Sequence, residues 1–183
     1  MAMTTRVVLT YRDYAALPND GRRYEIHGGE LSVTPAPSPQ HQIISANLFR
    51  ILDAHVRANS LGIALYAPLD VILSDTSIVQ PDITYLNPAR LGAISRRGIE
   101  GPPTLVIEIA SPSTLLIDRD TKRQLYRRYG VPYYWIVDPE AQSIEAYGLA
   151  KGDYQLQARA SGSAPLSLPP FPDLTFSPAS LWP

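Results

Sequence analysis

One acid inside an apolar run limits what this chain can fold into more than any other feature. Leu105-Val106-Ile107-Glu108-Ile109-Ala110 has the near-continuous apolar, β-branched composition of a strand covered on both faces. An ionised Glu108 in such a strand is expensive unless a cation or hydrogen-bond donors meet it. A second acid, Asp82, lies in Val79-Gln80-Pro81-Asp82-Ile83-Thr84-Tyr85-Leu86, which also reads as a strand. The simplest account of both is a buried acid satisfied by backbone donors; the alternative is a site.

The next segment supplies a cation. Ser111-Pro112-Ser113-Thr114 breaks the strand and offers a helix N-cap, and a helical pattern runs to Gly130 with Pro132 beyond it. At helical phase, Asp118, Lys122, Leu125, Tyr126 and Tyr129 share one face, with Arg119, Arg123 and Arg127 on the adjacent outer side. Only two of the 16 basic residues, Lys122 and Lys151, are lysines, so a lysine on the apolar face is not a routine solubility charge. It either pairs with Asp118 one turn earlier, worth about 0.2–0.5 kcal/mol, or serves chemistry. Two carboxylates on neighbouring strands with a lysine on the next helix suit metal-dependent phosphodiester cleavage. The acids hold a hard divalent ion through oxygen, and the ammonium meets phosphate charge or assists the attacking water.

At these residues the chain resembles the PD-(D/E)XK nuclease superfamily and, more closely, the Uma2 family, assigned as bacterial endonucleases. The resemblance is carried by Gly21-Arg22-Arg23-Tyr24-Glu25-Ile26, Gly29-Glu30-Leu31, Ser38-Pro39 with His41, Gln80-Pro81-Asp82, Glu108-Ile109-Ala110-Ser111-Pro112-Ser113-Thr114, Asp118 with Lys122, and Tyr126 to Asp138-Pro139. It implies an α/β fold with a restriction-endonuclease-like core, a central mixed β-sheet flanked by the Ser38 to Ser60 and Ser113 to Gly130 helices. It implies Mg²⁺ or Mn²⁺ held by Asp82 and Glu108, with the Ile109 carbonyl as a further ligand, and DNA as substrate. Ala110 stands where the superfamily has its lysine, so the resemblance gives that role to Lys122. An N-terminal acid completes the metal shell in related nucleases; Glu30 is the first choice and Glu25 the second, against a reading of both as exposed hairpin acids. His41 either orients substrate or water or simply caps its helix. Gln80 and Asp118 are auxiliary by their place in the matching segments.

With 183 residues and 45% hydrophobic composition, one domain with one ordinary core is expected. The chain has no cysteine and no run long enough to span a membrane, which suits a cytoplasmic protein. A formal net charge of -1 gives no broad basic footprint, although Arg22-Arg23, Arg96-Arg97 and the helix arginines can reach phosphates. Strands are expected at Tyr24 to His27, Leu31 to Thr34, Ile63 to Ala67, Leu69 to Leu73, Tyr133 to Val137, Ser143 to Leu149 and Asp153 to Arg159, the middle ones pairing as a meander into the Asp82 strand. The segment 161–183 is rich in Pro and Ser yet carries Leu166, Leu168, Phe171, Leu174, Phe176, Leu181 and Trp182. It should cover the core or a partner subunit, and the second possibility predicts a homodimer. Two other functions fit the same residues: a nucleic-acid-binding or assembly protein of this fold without turnover, and a metalloenzyme acting on a small phosphorylated molecule.

Overall fold

The computed structural model describes residues 7–111 and 117–183, with backbone only at 117 and 118. Thr10 opens α1 (Tyr11–Ala15), its N–H and hydroxyl each donating to Asp13 Oδ2 at 2.8 Å. The turn between β1 (Arg23–His27) and β2 (Glu30–Thr34) has Gly28 and Gly29 at φ 60° and 88°. Two left-handed residues in a two-residue hairpin are what glycine supplies without strain. Ser38 Oγ then accepts the His41 N–H at 3.2 Å, and Pro39 takes the first position of α2 (Pro39–Ala58), which buries Ile44, Leu48, Leu52 and Val56 along one stripe.

The next strands are β3 (Ile63–Tyr66), β4 (Val71–Ser74), β5 (Ser77–Val79), β6 (Ile83–Leu86), β7 (Ile99–Glu100) and β8 (Leu105–Ile109). A π-helical turn (Ile117–Lys122) leads into α3 (Arg123–Arg128). The N-cap expected around Ser113 lies outside the described residues. β9 (Tyr133–Asp138), β10 (Ser143–Ala150) and β11 (Asp153–Ser161) follow, then a terminal hairpin of β12 (Leu166–Leu168) and β13 (Phe171–Phe176).

The strands form two main sheets, ordered β2-β1-β5-β4-β7 and β11-β10-β9-β8-β6-β3. The second is mixed, because β8 and β9 run parallel across the helical crossover while β6 pairs antiparallel with β8. α2, the terminal hairpin and the 3-10 turn after it (Pro178–Leu181) cover one face of this larger sheet, contributing Ile44, Leu48, Phe171 and Leu181 to a core with Ile107, Ile109 and Trp135. Its other face, through Val106, Ala110, Tyr134 and Ile136, packs on Leu125 and Tyr126 of α3 and on Val71 and Val79 of the smaller sheet. The smaller sheet carries a third cluster, Ile26, Ile72 and Ile78, under Tyr11 and Tyr14 of α1.

Two expectations are corrected here. The run from Val79 to Leu86 is not one strand: β5 belongs to the smaller sheet and β6 to the larger, and Gln80-Pro81-Asp82 carries the chain between them. Likewise β3 and β4 do not pair as a meander but lie in different sheets, with Pro68 between them. Proline has no N–H to give to a ladder, and at both places the chain leaves one sheet beside a proline and enters the other.

The terminal segment serves its own chain. Leu168, Phe171, Leu174, Phe176 and Leu181 are buried in the main core, and Asn47 Nδ2 of α2 donates to the Leu181 carbonyl at 3.0 Å. These apolar groups are thus accounted for within one chain, and the homodimer expected from them loses that basis. Among the described residues no helix is long and apolar enough to cross a membrane. Phe171, 2% exposed and against Tyr85, Trp135 and His55, gives the test: Phe171→Ala should lose about 3–5 kcal/mol of unfolding free energy in urea. A loss below about 1 kcal/mol would mean that the terminal hairpin is an appendage.

Candidate active site

The site forms where the two sheets meet the crossover helix. The β6–β8 register pairs Ile83 with Ile107, so one step outward sets Asp82 opposite Glu108. Both are buried, at 4% and 3% exposure. Asp82 Oδ2 accepts the Ile109 N–H at 2.8 Å and lies 3.1 Å from His41 Nε2, while Oδ1 accepts from Arg23 at 3.1 Å. Burial opposes ionisation of Asp82, but His41, Arg23 and the Ile109 N–H together outweigh it and hold the carboxyl below its usual range.

Glu108 Oε1 accepts from Lys122 Nζ at 3.2 Å and from the Tyr126 hydroxyl at 2.6 Å. Lys122 is itself 6% exposed and also lies 3.2 Å from Glu25 Oε1. The helical phase that placed Lys122 with Leu125 and Tyr126 is observed: all three are buried, whereas Arg127 and Arg128 are exposed. Burial, and then the charges of Glu108 and Glu25, push the Tyr126 phenol well above its usual pKa, which keeps its proton available to Glu108. The helical segment is anchored from its other side, where Arg119 donates to buried Glu145 at 2.9 Å and Arg159 joins the same carboxylate at 2.6 Å.

Glu25 is the N-terminal acid that the fold brings in. It accepts the Gln80 N–H at 2.6 Å on Oε1, the oxygen that meets Lys122, and approaches His27 at 3.2 Å through Oε2. Burial works against its charge, but Lys122 and His27 lower its pKa far below the ordinary 4.5. Glu30, the first choice, is an exposed residue of the edge strand β2, paired across the hairpin with His27. The two acids share a face of the hairpin, but β1 pairs with β5 inside the smaller sheet while β2 is its edge, so Glu25 is buried and Glu30 stays at the rim. Gln80 contributes its backbone: the Arg23 guanidinium donates to its carbonyl, while its side chain turns to Asp70 and the Tyr14 hydroxyl at 2.8 and 3.0 Å. The Asp118 side chain lies outside the described residues. Arg97 pairs with Glu100 and sits over Tyr11, a structural role away from the site.

Sequence reasoning gives His27 and Tyr126 no role of their own in the site and marks Arg23 only as one of a pair able to reach phosphates. Arg23, Glu25 and His27 alternate along β1 and so share one face; that period was the available signal. Burial counts against the charge of Arg23, yet Asp82, Glu108 and Glu25 together raise its pKa. Beside Asp82 opens a cavity of about 670 Å³ whose wall includes Arg22, Arg23, His41, Phe49, Tyr66 and Asp82.

The donor chemistry fits a hard divalent ion, since Asp82, Glu108 and Glu25 offer oxygen. Among the described residues, the permanent cations seen against these three carboxyl groups in a desolvated space are Arg23 and Lys122. No cluster of three or more acids and histidines is already drawn together around an ion position among the described residues, and Lys122 and Arg23 now contact the oxygens an ion would use. Entry of an ion therefore means exchange with these contacts.

A carboxyl whose folded pKa lies below its unfolded value adds stability that is complete above the unfolded pKa and drains away as pH falls toward the folded one. Glu25 and Asp82, with ordinary values of 4.5 and 3.8, are both depressed. Urea unfolding should accordingly show stability level at neutral pH and falling below about pH 4. Glu25→Gln should lose on the order of 3 kcal/mol at neutral pH, as breaking a buried pair does, and show a shallower acid decline. An unchanged decline would mean that Glu25 is not charged in the fold.

With this geometry in view, the known relatives are informative. The Uma2 family, described as "Putative restriction endonuclease", matches residues 11–179. No curated protein matches the chain. A crystal structure from Anabaena variabilis, described as "a putative nuclease belonging to DUF820", superposes with a TM-score of 0.77 at 20% identity, covering 94% of this chain and 97% of that one. At that identity the superposition speaks for the fold. The family match extends over nearly the whole chain, including every site residue described above, and the protein belongs to the Uma2 family.

Proposed function

We propose that this protein is a Mg²⁺- or Mn²⁺-dependent endonuclease that hydrolyses phosphodiester bonds in DNA in the cytoplasm. The observation that carries this reading is the ammonium of Lys122, buried at 3.2 Å from both Glu25 and Glu108 although no lysine follows Glu108 on its own strand. A surface ion pair has no need of such a position, and a phosphate-cleaving site does.

Asp82 and Glu108 would hold the ion, with the Ile109 carbonyl adjoining them. The ion supplies charge neutralisation at the phosphate and a more acidic attacking water. Lys122, released from one of its two carboxylates, presents a compact positive charge to the phosphate oxygens and a donor that orients the water. Arg23, fixed by Asp82 and the Gln80 carbonyl, adds a second cation as negative charge grows in the transition state. Tyr126 holds Glu108 in place through its hydroxyl. A binding protein of the same fold without turnover is the second reading, favoured by the direct contacts that Arg23 and Lys122 make with the acids.

Nicking of supercoiled DNA in Mg²⁺ and in Mn²⁺ separates the two. Lys122→Ala should cut on the order of 10² more slowly, and Lys122→Arg should recover little, because a planar fork does not replace a point charge. In calorimetric titration, Asp82→Asn and Glu108→Gln should lose the metal isotherm of the parent protein. Cutting by Lys122→Ala at the parent rate removes the proposed mechanism, and absence of cutting by the parent leaves the binding reading.

A further inference from the structure

The cavity beside Asp82 is not explained by phosphodiester chemistry alone. Its volume of about 670 Å³ falls within the range of small-molecule sites, and its wall combines aromatic rings with arginines. Tyr66, the last residue of edge strand β3, is 60% exposed and is braced by Phe49 of α2 at 4.7 Å between ring centroids. Arg22 and Arg50 belong to the same wall. Arg23 Nε, His41 Nδ1 and Gln80 Oε1 are three of the six buried side-chain polar atoms without a hydrogen-bond partner among the described residues, and all three belong to residues lining this cavity. These three atoms are themselves out of reach of solvent behind the wall, so the groups an occupant would meet are the exposed Tyr66 ring with Arg22 and Arg50.

We infer that this cavity seats one unpaired nucleobase, stacked on Tyr66, beside the phosphodiester presented to Asp82. The inference rests on the nuclease reading and narrows its substrate to single-stranded or locally unpaired nucleic acid. Charge supports it. A chain with net charge -1 neutralises few phosphates and gains little from the general attraction that holds a duplex binder to DNA. Its affinity has to come from local contacts, and stacking on an exposed aromatic ring flanked by arginines is the form that single-strand binding takes. A base inside a continuous duplex cannot enter such a recess without leaving its stack, a step that is cheapest where pairing is already absent.

The test measures binding apart from cutting. Fluorescence anisotropy in EDTA, with the full chain, compares a short labelled single-stranded oligodeoxynucleotide with its perfect duplex. The single strand should bind more tightly than the duplex. Tyr66→Ala should weaken single-strand binding about tenfold or more, Tyr66→Phe should retain it, and the melting temperature of both variants should stay at the parent value because the side chain is exposed. Equal binding of single strand and duplex, or parent-like binding by Tyr66→Ala, overturns the base seat and leaves the nicking assay to judge the nuclease reading. Tyr66-dependent single-strand binding by a protein that never nicks DNA supports the seat and removes the nuclease reading instead.

Discussion

The buried ammonium of Lys122 is the interaction on which this architecture depends. It ties Glu25 of the smaller sheet and Glu108 of the larger to the helix that links β8 with β9. Each charge alone would be costly at that depth, and removing Lys122 takes from both carboxylates the cation they share. The arrangement therefore fixes three elements relative to one another with a strength that apolar packing, being non-directional, does not provide. Position 110 shows the other half of the design. Ala110 is 4% exposed within the cluster that holds Leu125 and Tyr126, so a small residue completes the packing there while the cation arrives from the helix above.

The route of the chain explains how the acids come together. A strand held in one sheet throughout would have kept Asp82 within a single ladder. Instead the chain changes sheets through Gln80-Pro81-Asp82, and this short connector is held from several directions: Glu25 takes the Gln80 N–H, Arg23 donates to its carbonyl, and the Gln80 side chain reaches Asp70 and Tyr14. Asp82 is thereby placed at the seam, where a carboxylate can meet the Ile109 N–H, His41 and Arg23 together. The specificity of the position comes from backbone groups that proline and the sheet change leave available.

Much of this was readable from residues. Glu108 in an apolar strand demanded a cation, the helical phase of Lys122 provided one, and the large apolar residues of the terminal segment required a core to cover. What escaped was long-range. Local composition cannot tell which of two sheets a short strand joins, so Val79 to Leu86 read as one element. The same gap made Glu30 and Glu25 equivalent: both point to one face of the hairpin, and only the pairing of β1 with β5 puts Glu25 on the inner strand and leaves Glu30 on the edge. The wider turn at Ile117–Lys122 leaves no mark in propensity, because a π-turn reflects what the surroundings require of a helix.

A site assembled at a seam has a dynamic character of its own. Many active sites are carried on loops, whose local opening costs little and lets substrate in. Here the ties that cross between the sheets are charged contacts, Arg23 of the smaller sheet to Asp82 and Lys122 to both Glu25 and Glu108, so the acids of the two sheets separate only when these contacts exchange. The candidate constellation therefore opens by exchange of ion pairs at a junction between sheets, not by the swing of a loop.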